Sequence, residues 1–186
     1  MDFSKIKVRK ITKDDKDTDF IVSLRNEPLI MKRFFSTEPI TRESHLKFLA
    51  NAEAKGDMIF IVEKDNEPIG QVAIFNIDAK NKKVEGGAFV LKPDAEGLGI
   101  GAFVEYNMLD FAFSVMDVNR VHAEVLDTNV GILELHKNFG FKEEGRLREH
   151  VIINGKKHDV CCLGLLKNEW DRNRFKKLFG ERVFNG

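Results

Sequence analysis

Hydrophobic and polar residues along this chain fall into short blocks, and the spacing of the apolar positions changes from block to block. Apolar runs rich in β-branched residues predict strands at 6–11, 58–64, 69–75, 84–91, 120–126, 148–153 and 157–166. Apolar residues three or four positions apart predict helices at 17–25, 42–55, 102–116, 130–139 and 168–179. The strands come first as hairpins and later alternate with helices. We therefore expect one α/β domain over residues 1–186, built on a mixed sheet.

Residues with turn and capping chemistry separate these elements. Asn154-Gly155 is a strong signal for a two-residue hairpin turn between the last two predicted strands. Thr41 is suited to cap the start of the helix at 42–55, and Gly140 to close the helix at 130–139. The final residues, 180–186, follow the last predicted helix, and we expect them to form a loose tail.

The charge balance limits the class of partner. The chain has 30 Lys and Arg and 30 Asp and Glu, so its formal net charge is zero. This argues against nucleic acid or an anionic membrane as the main partner. The start of the chain lacks the apolar core of a signal peptide, and the two cysteines, Cys161 and Cys162, are adjacent. We expect a cytoplasmic protein, monomeric or homodimeric, without a metal site.

Three glycines stand between a predicted strand and a long apolar helix, in the stretch EGLGIG at 96–101. The first turn of a helix leaves backbone N–H groups unpaired, and glycines let a phosphate oxygen approach them. Phosphate binding is our preferred interpretation, and a tight turn without a ligand is the alternative. The spacing G-x-G-x-G does not match the dinucleotide fingerprint, and the loop also lacks the lysine of a P-loop.

The same stretch resembles the acetyl-coenzyme A loop of the GCN5-related N-acetyltransferase superfamily, usually Gln/Arg-x-x-Gly-x-Gly/Ala. Glu96, Gly99 and Gly101 fall on its key positions, and Glu96 replaces the usual Gln or Arg. The segment 129–141 is similar to the second cofactor segment of the superfamily. The resemblance implies a mixed, mostly antiparallel, twisted sheet of six to seven strands, with a splay between the fourth and fifth. About four helices would flank the sheet, with a further C-terminal helix in 171–186.

The resemblance also implies acetyl-CoA as the acetyl donor and a set of residues that hold it. The pantetheine arm would lie along the strand at Phe89, Val90 and Leu91, and the second segment would add Asn129, Leu133 and His136. The side chain of Glu96 would turn away from the diphosphate. The diphosphate would then rest on the backbone of Gly97, Leu98, Gly99, Ile100 and Gly101.

Acetyl transfer to an amine needs a base for the ammonium and an acid for the departing thiolate. Glu85 is the first candidate for the base and Glu124 the second; a solvent-facing glutamate is the alternative for Glu85. His136 occupies the position where the superfamily most often has Tyr, and an imidazole with a pKa of about 6.5 can donate a proton. His136 could instead be a polar helix residue, with the thiolate leaving unaided.

The segment 24–49 most resembles amino-sugar acetyltransferases of the pseudaminic acid pathway, which act on a UDP-linked 4-amino sugar. This implies a nucleotide-linked amino sugar as the small-molecule acceptor, with Arg25, Phe34, Phe35 and His45 as candidate contacts. The branch of the ribosomal-protein N-terminal acetyltransferases comes next. A protein N-terminus or a polyamine is therefore the alternative acceptor, and a non-catalytic module that binds acyl-CoA is a third reading.

Overall fold

One seven-stranded sheet organises residues 2–184, which are the residues that this computed structural model describes. The elements in chain order are β1 (Ile6–Lys10), α1 (Asp15–Arg25), α2 (Pro28–Met31), α3 (Arg42–Lys55), β2 (Met58–Lys64), β3 (Glu67–Asp78), β4 (Lys83–Leu91), α4 (Ile100–Ser114), β5 (Arg120–Leu126), α5 (Val130–Asn138), β6 (Lys142–Ile153), β7 (Lys156–Leu166) and α6 (Arg172–Phe179). All seven predicted strands are present. The short helix α2 was not predicted, and β6 begins earlier than its apolar residues indicated.

The predicted helix at 168–179 is wrong at its start. Residues Lys167–Glu169 form a 3-10 turn, Trp170 is extended, and α6 begins only at Arg172. The side chain of Glu169 accepts a hydrogen bond from the backbone of Leu166, and Asp171 caps α6. Two side-chain caps in succession therefore divide a stretch whose apolar spacing alone predicts one helix.

The strand order is β1-β2-β3-β4-β5-β7-β6, and every neighbouring pair is antiparallel except β4 and β5. The hairpin turn at Asn154-Gly155 is confirmed, with both residues at positive φ. The α/β fold with a mixed sheet is thus as expected. Among the described residues, none of the helices is long and apolar enough to cross a membrane.

A wedge opens in the middle of this sheet, between its two parallel strands. In the described chain, β4 and β5 pair only from Lys83–Glu85 opposite Arg120–His122. On its other side β4 carries a bulge, since Ala88 and Phe89 together oppose the single residue Val72 of β3. Ala88 has a φ of 48°, and the Gln71 amide donates a hydrogen bond of 3.3 Å to its carbonyl. The splay expected between the fourth and fifth strands is confirmed.

Helices cover both faces of the sheet. Helix α4 is buried along almost its whole length in the main core, where Phe103, Tyr106 and Phe113 are at most 2% exposed. On the opposite face, Leu49 of α3 packs with Ile59, and Leu24 of α1 packs with Val90. The helices α1 and α3 therefore stand on one side of the wedge, and α4 on the other.

The expected loose tail is wrong for residues 180–184. Phe184 is 2% exposed and lies between Phe60 and Phe111, with ring centroids 4.4 and 4.7 Å away. Tyr106 donates a hydrogen bond of 2.9 Å to the Gly180 carbonyl, and the backbone of Val183 donates one of 2.8 Å to Asn107. Burial of one aromatic ring outweighs the polar composition of the segment. Asn185 and Gly186 lie outside the described residues.

Candidate active site

Two adjoining cavities meet at the wedge in the sheet. The inner cavity, of about 350 Å³, extends between the separated ends of β4 and β5 and reaches residues of α4 and α5. The loop cavity, of about 730 Å³, lies between the end of β4, the glycine stretch and the start of α5. Arg33, Phe89, Asn129 and Ile132 line both cavities. A ligand that starts at the glycine stretch can therefore continue into the wedge.

The glycine stretch forms the start of α4. Gly97 and Gly99 have φ values of 73° and 75°, a conformation that side chains rarely adopt. Gly99 is the N-cap residue, and no described side chain caps this helix. A Cβ atom added to Gly97 would meet no described atom within 4 Å, so the space in front of the loop is open. Uncapped N–H groups behind an open surface fit the diphosphate of coenzyme A.

The structure divides the predicted cofactor residues into two groups. The wall of the loop cavity includes Phe89, Val90, Leu91, Glu96, Gly97, Gly101 and Asn129. The side chain of Ile100 is fully buried in the main core, Leu133 is 7% exposed there, and Leu98 is 42% exposed. The side chains of Ile100 and Leu133 thus hold α4 and α5 in place. The backbone N–H of Ile100 lies in the uncapped first turn of α4 and is available to a ligand, whereas the N–H of Leu133 donates a hydrogen bond of 3.1 Å to the Asn129 carbonyl.

Glu96 has a charged partner that the sequence did not indicate. Glu96 lines the loop cavity, and its carboxylate accepts two hydrogen bonds from the guanidinium of Arg33, one of them 3.1 Å long. Arg33 lies 63 positions earlier in the sequence, between α2 and α3. The negative charge of Glu96 is therefore compensated by Arg33, and its turn away from the diphosphate stays a prediction.

The two candidate bases flank the wedge, one on each parallel strand. Glu85 of β4 accepts a hydrogen bond of 2.6 Å from the Asn76 amide, and His122 Nε2 lies 3.7 Å from its carboxylate. Glu124 of β5 is exposed, and both glutamates line the inner cavity. Glu85 is held by two neighbours at the point where β4 and β5 stop pairing, which favours it over Glu124 as a positioned base.

His136 forms a buried pair that sequence reasoning missed. Its Nδ1 lies 2.8 Å from a carboxylate oxygen of Glu105, and each residue is 6% exposed. Both residues line the inner cavity. The signal for Glu105 was present, because the otherwise apolar sequence of α4 contains only two charged residues, Glu105 and Asp110. A carboxylate in a buried helix face needs a partner, and here the partner is the candidate acid.

The predicted acceptor residues, with one exception, lie on the side of the wedge that α1 and α3 cover, opposite α4. Arg25, Phe34 and Phe35 line the inner cavity, together with Phe48, which sequence reasoning missed. The Arg25 guanidinium stacks on the Phe34 ring, 3.4 Å from its centroid. Phe35 and Phe48 are 41% and 43% exposed, although large apolar side chains favour burial. His45 is 3% exposed and is not among the described residues that line this cavity.

Arg25 is a partly buried cation with no carboxylate partner among the described residues. Its Nε has no hydrogen-bond partner in that part of the chain, and the same is true of His45 Nε2. Burial lowers the pKa of Arg25 to about 10. Burial, and after it the positive charge of Arg25, lowers the pKa of His45 below 6.5. The acceptor side of the cavity therefore carries an uncompensated positive charge.

Solved structures share this architecture, and named acetyltransferases match the sequence. A crystal structure of spermidine N-acetyltransferase from Vibrio cholerae in complex with CoA and spermine superimposes with a TM-score of 0.80 at 25% identity, covering 89% of this chain and 98% of that one. The acetyltransferase PseH of Campylobacter jejuni is 29% identical over 152 residues, which are 80% of this chain and 93% of PseH.

Two further relatives match by sequence. Spermidine N(1)-acetyltransferase of V. cholerae is 27% identical over 157 residues, 83% of this chain and 90% of that protein. The putative ribosomal N-acetyltransferase YdaF of Bacillus subtilis is 32% identical over 107 residues, and the match spans 58% of each chain. Residues 5–142 match the family described as Acetyltransferase (GNAT) domain. The chain therefore belongs to the GNAT acetyltransferases and is an N-acetyltransferase that uses acetyl-CoA.

Proposed function

We propose that this enzyme acetylates the primary amine of a nucleotide-linked amino sugar. The observation that carries this acceptor class is Arg25, an uncompensated cation on the wall of the inner cavity. A cation that burial disfavours is suited to an anionic ligand, and an arginine can contact a diphosphate through two donors. Phe34 and Phe35 beside it offer flat apolar surface for a base or a sugar ring. The resemblance of the segment 24–49 to amino-sugar acetyltransferases supports the same acceptor, and the acetyltransferase PseH is among the relatives.

The residues that would hold the donor are those of the loop cavity. The backbone N–H groups from Gly97 to Gly101 would bind the diphosphate, and Phe89–Leu91 would lie along the pantetheine arm. Asn129 and His136 would contact the donor from α5. When bound, acetyl-CoA supplies an activated acetyl group as a thioester. The chain itself supplies orientation, since the wedge brings donor and acceptor to one point.

The bulge in β4 would stabilise the carbonyl oxygen during transfer. Bulged residues leave the regular ladder, so a backbone N–H at Ala88 or Phe89 can face the wedge without a strand partner. The Gln71 amide holds the bulge by its hydrogen bond to the Ala88 carbonyl. A fixed N–H group aimed at a developing negative charge needs no reorganisation during the reaction.

Glu85 would remove the proton from the acceptor ammonium, directly or through one water. Its carboxylate is anchored by Asn76 and lies at the last paired position of the wedge, next to the open space. Glu124 faces the same cavity from β5 and is the second candidate. The neutral amine then attacks the thioester carbon directly, and no covalent intermediate with the protein is required.

His136 would donate a proton to the departing thiolate. Glu105 occupies Nδ1, so Nε2 is the ring nitrogen left for the inner cavity. Glu105 acts as a positioning residue, because its hydrogen bond fixes both the ring orientation and the nitrogen that faces the reaction. This pair takes the place of the tyrosine that the superfamily most often has there.

A polyamine is the second candidate acceptor, because Glu85, Glu105 and Glu124 place three carboxylates on the wall of the inner cavity. Spermidine acetyltransferases are also among the relatives. Glu105, however, is already paired with His136. Arg25 would repel a polycation at the aromatic end of the cavity, and that repulsion favours the anionic acceptor.

A thiol-release assay with acetyl-CoA tests the acceptor class. The panel contains a UDP-linked 4-amino-4,6-dideoxy sugar, spermidine and a peptide with a free N-terminus. We expect kcat/KM for the nucleotide sugar to exceed the others by at least about a hundredfold, the discrimination of a site that pairs a buried charge. A preference for spermidine or the peptide would reject the proposed acceptor and leave the family assignment intact.

A further inference from the structure

The loop cavity contains a carboxylate where an anion is expected to bind. Glu96 directly precedes Gly97, and both line the cavity. A free carboxylate at this place would repel the diphosphate of coenzyme A. The side chain of Glu96 is 37% exposed, so solvent screens it only in part. In the described structure, the guanidinium of Arg33 pairs with this carboxylate and compensates its charge.

The Arg33 guanidinium engages both oxygens of Glu96, through Nη1 and Nη2. Such a two-donor arrangement fixes the guanidinium plane as well as its position. The pair is partly exposed, with 30% of the Arg33 side chain accessible, and pairs of this kind contribute little to the stability of a fold. The pair therefore matters more for the charge of the loop cavity than for the stability of the fold.

Arg33 also lies at the border between the two cavities. Lys32 lines the loop cavity, Phe34 and Phe35 line the inner cavity, and Arg33 lines both. The donor and the acceptor thus share a wall made from one short segment, residues 32–35. The Arg33 pair connects this segment to the glycine loop across the cleft.

We propose that Arg33 is a donor-binding residue that masks Glu96, presents positive charge to the coenzyme A diphosphate, and couples donor binding to the acceptor segment. This inference rests on the proposed placement of coenzyme A in the loop cavity. Arginine donates through five N–H groups, so it can keep one contact to Glu96 while another faces a phosphate oxygen. By linkage, an acceptor that contacts residues 32–35 and shifts this pair also changes the affinity for coenzyme A.

Calorimetric titration with coenzyme A, without any acceptor, tests the proposal. We expect Arg33→Gln to weaken binding by at least about tenfold, which corresponds to about 1.4 kcal/mol. Glu96→Gln should bind at least as tightly as the unmodified protein. The double variant should bind more tightly than Arg33→Gln alone, since no carboxylate is left unmasked. A double variant as weak as Arg33→Gln, or an Arg33→Gln variant with unchanged affinity, would overturn the proposal.

Two controls separate the charge effect from damage to the fold. Arg42→Gln removes another partly exposed arginine, one that pairs with Asp15 and Asp19, and should leave coenzyme A affinity unchanged. Pantetheine lacks the diphosphate, so its affinity in an NMR titration should be the same with and without Arg33→Gln. A loss of pantetheine binding in Arg33→Gln would contradict a role through charge. Failure of the unmodified protein to bind coenzyme A would reject the donor site itself, whereas the identity of the acceptor does not enter this test.

Discussion

Replacing Arg25 by methionine removes the guanidinium and keeps an unbranched stem of similar length on the wall of the inner cavity. Burial lowers the pKa of Arg25 from 12.5 to about 10. At 1.36 kcal/mol for each pH unit, this difference sets an upper limit of about 3 kcal/mol for the free-energy cost of the buried charge. Arg25 is only partly buried, and solvent screening reduces this to roughly 2 kcal/mol.

The substitution also removes the stacking of the guanidinium on Phe34, which stabilises the protein by about 1 kcal/mol. The net expectation is that Arg25→Met stabilises the protein without ligands by about 1 kcal/mol. In a chain of 186 residues this raises Tm by about 2–4 °C. The same variant should lose at least about tenfold in kcat/KM with the nucleotide sugar and keep its affinity for coenzyme A, since Arg25 does not line the loop cavity.

Thermal unfolding by calorimetry and the thiol-release assay measure the two effects. Arg42→Met is the matched control, because Arg42 is compensated by Asp15 and Asp19, so that its loss should leave Tm unchanged or slightly lower. A fall of more than about 2 °C in Tm for Arg25→Met would show that Arg25 is stabilised in the folded protein. Unchanged turnover of the nucleotide sugar by this variant would refute its role in binding the acceptor.

Three further predictions concern other parts of the site and the fold. In Glu105→Gln, the new amide oxygen can still accept the Nδ1 hydrogen bond of His136 but carries no charge. We therefore expect kcat to fall by about tenfold or more, with little change in coenzyme A affinity. An equal loss in kcat and in affinity would indicate a structural role. Because the pKa of His45 is lowered below 6.5, the folded protein binds fewer protons than the unfolded chain at pH values between the folded-state pKa and about 6.5. The free energy of unfolding should therefore decrease as pH falls below about 6.5. NMR titration should show that the pKa of His45 rises in Arg25→Met. A His45 pKa at or above 6.5 in the unmodified protein would contradict the burial argument. Phe184→Ala should destabilise the protein by about 3–4 kcal/mol and lower Tm by roughly 10 °C, whereas a tail that is loose in solution would show no change.

Local sequence signals predicted the elements well because each is encoded within a few residues. The strands β2 and β5 have the bounds that their β-branched runs indicated, and helix α3 begins after its Thr41 cap and covers 42–55 as predicted. The glycine stretch also lies where it was expected, at the start of a buried helix. Neighbouring residues decide all of these features, so a single sequence is sufficient to find them.

The features that sequence reasoning missed depend on contacts between distant segments. The bulge at Ala88 requires a positive φ at a residue that does not favour it, and Gln71 on the neighbouring strand holds it. Glu105 meets His136 across 31 positions, and Arg33 meets Glu96 across 63. Periodicity and motif spacing contain no information on such pairs. The chemistry of the site could be guessed from its residue types, but its pairing could not.

Binding of uridine diphosphate to the coenzyme A-saturated protein, measured by calorimetry beside spermine, tests the central claim most directly. Uridine diphosphate has no amine to acetylate, and coenzyme A carries no acetyl group for spermine, so the titration reports only the charge preference of the acceptor side. We expect uridine diphosphate to bind at one site, with affinity reduced at least about tenfold in Arg25→Met, and spermine to give no heat. Saturable binding of spermine, together with no binding of uridine diphosphate, would contradict the claim that an uncompensated arginine selects an anionic acceptor.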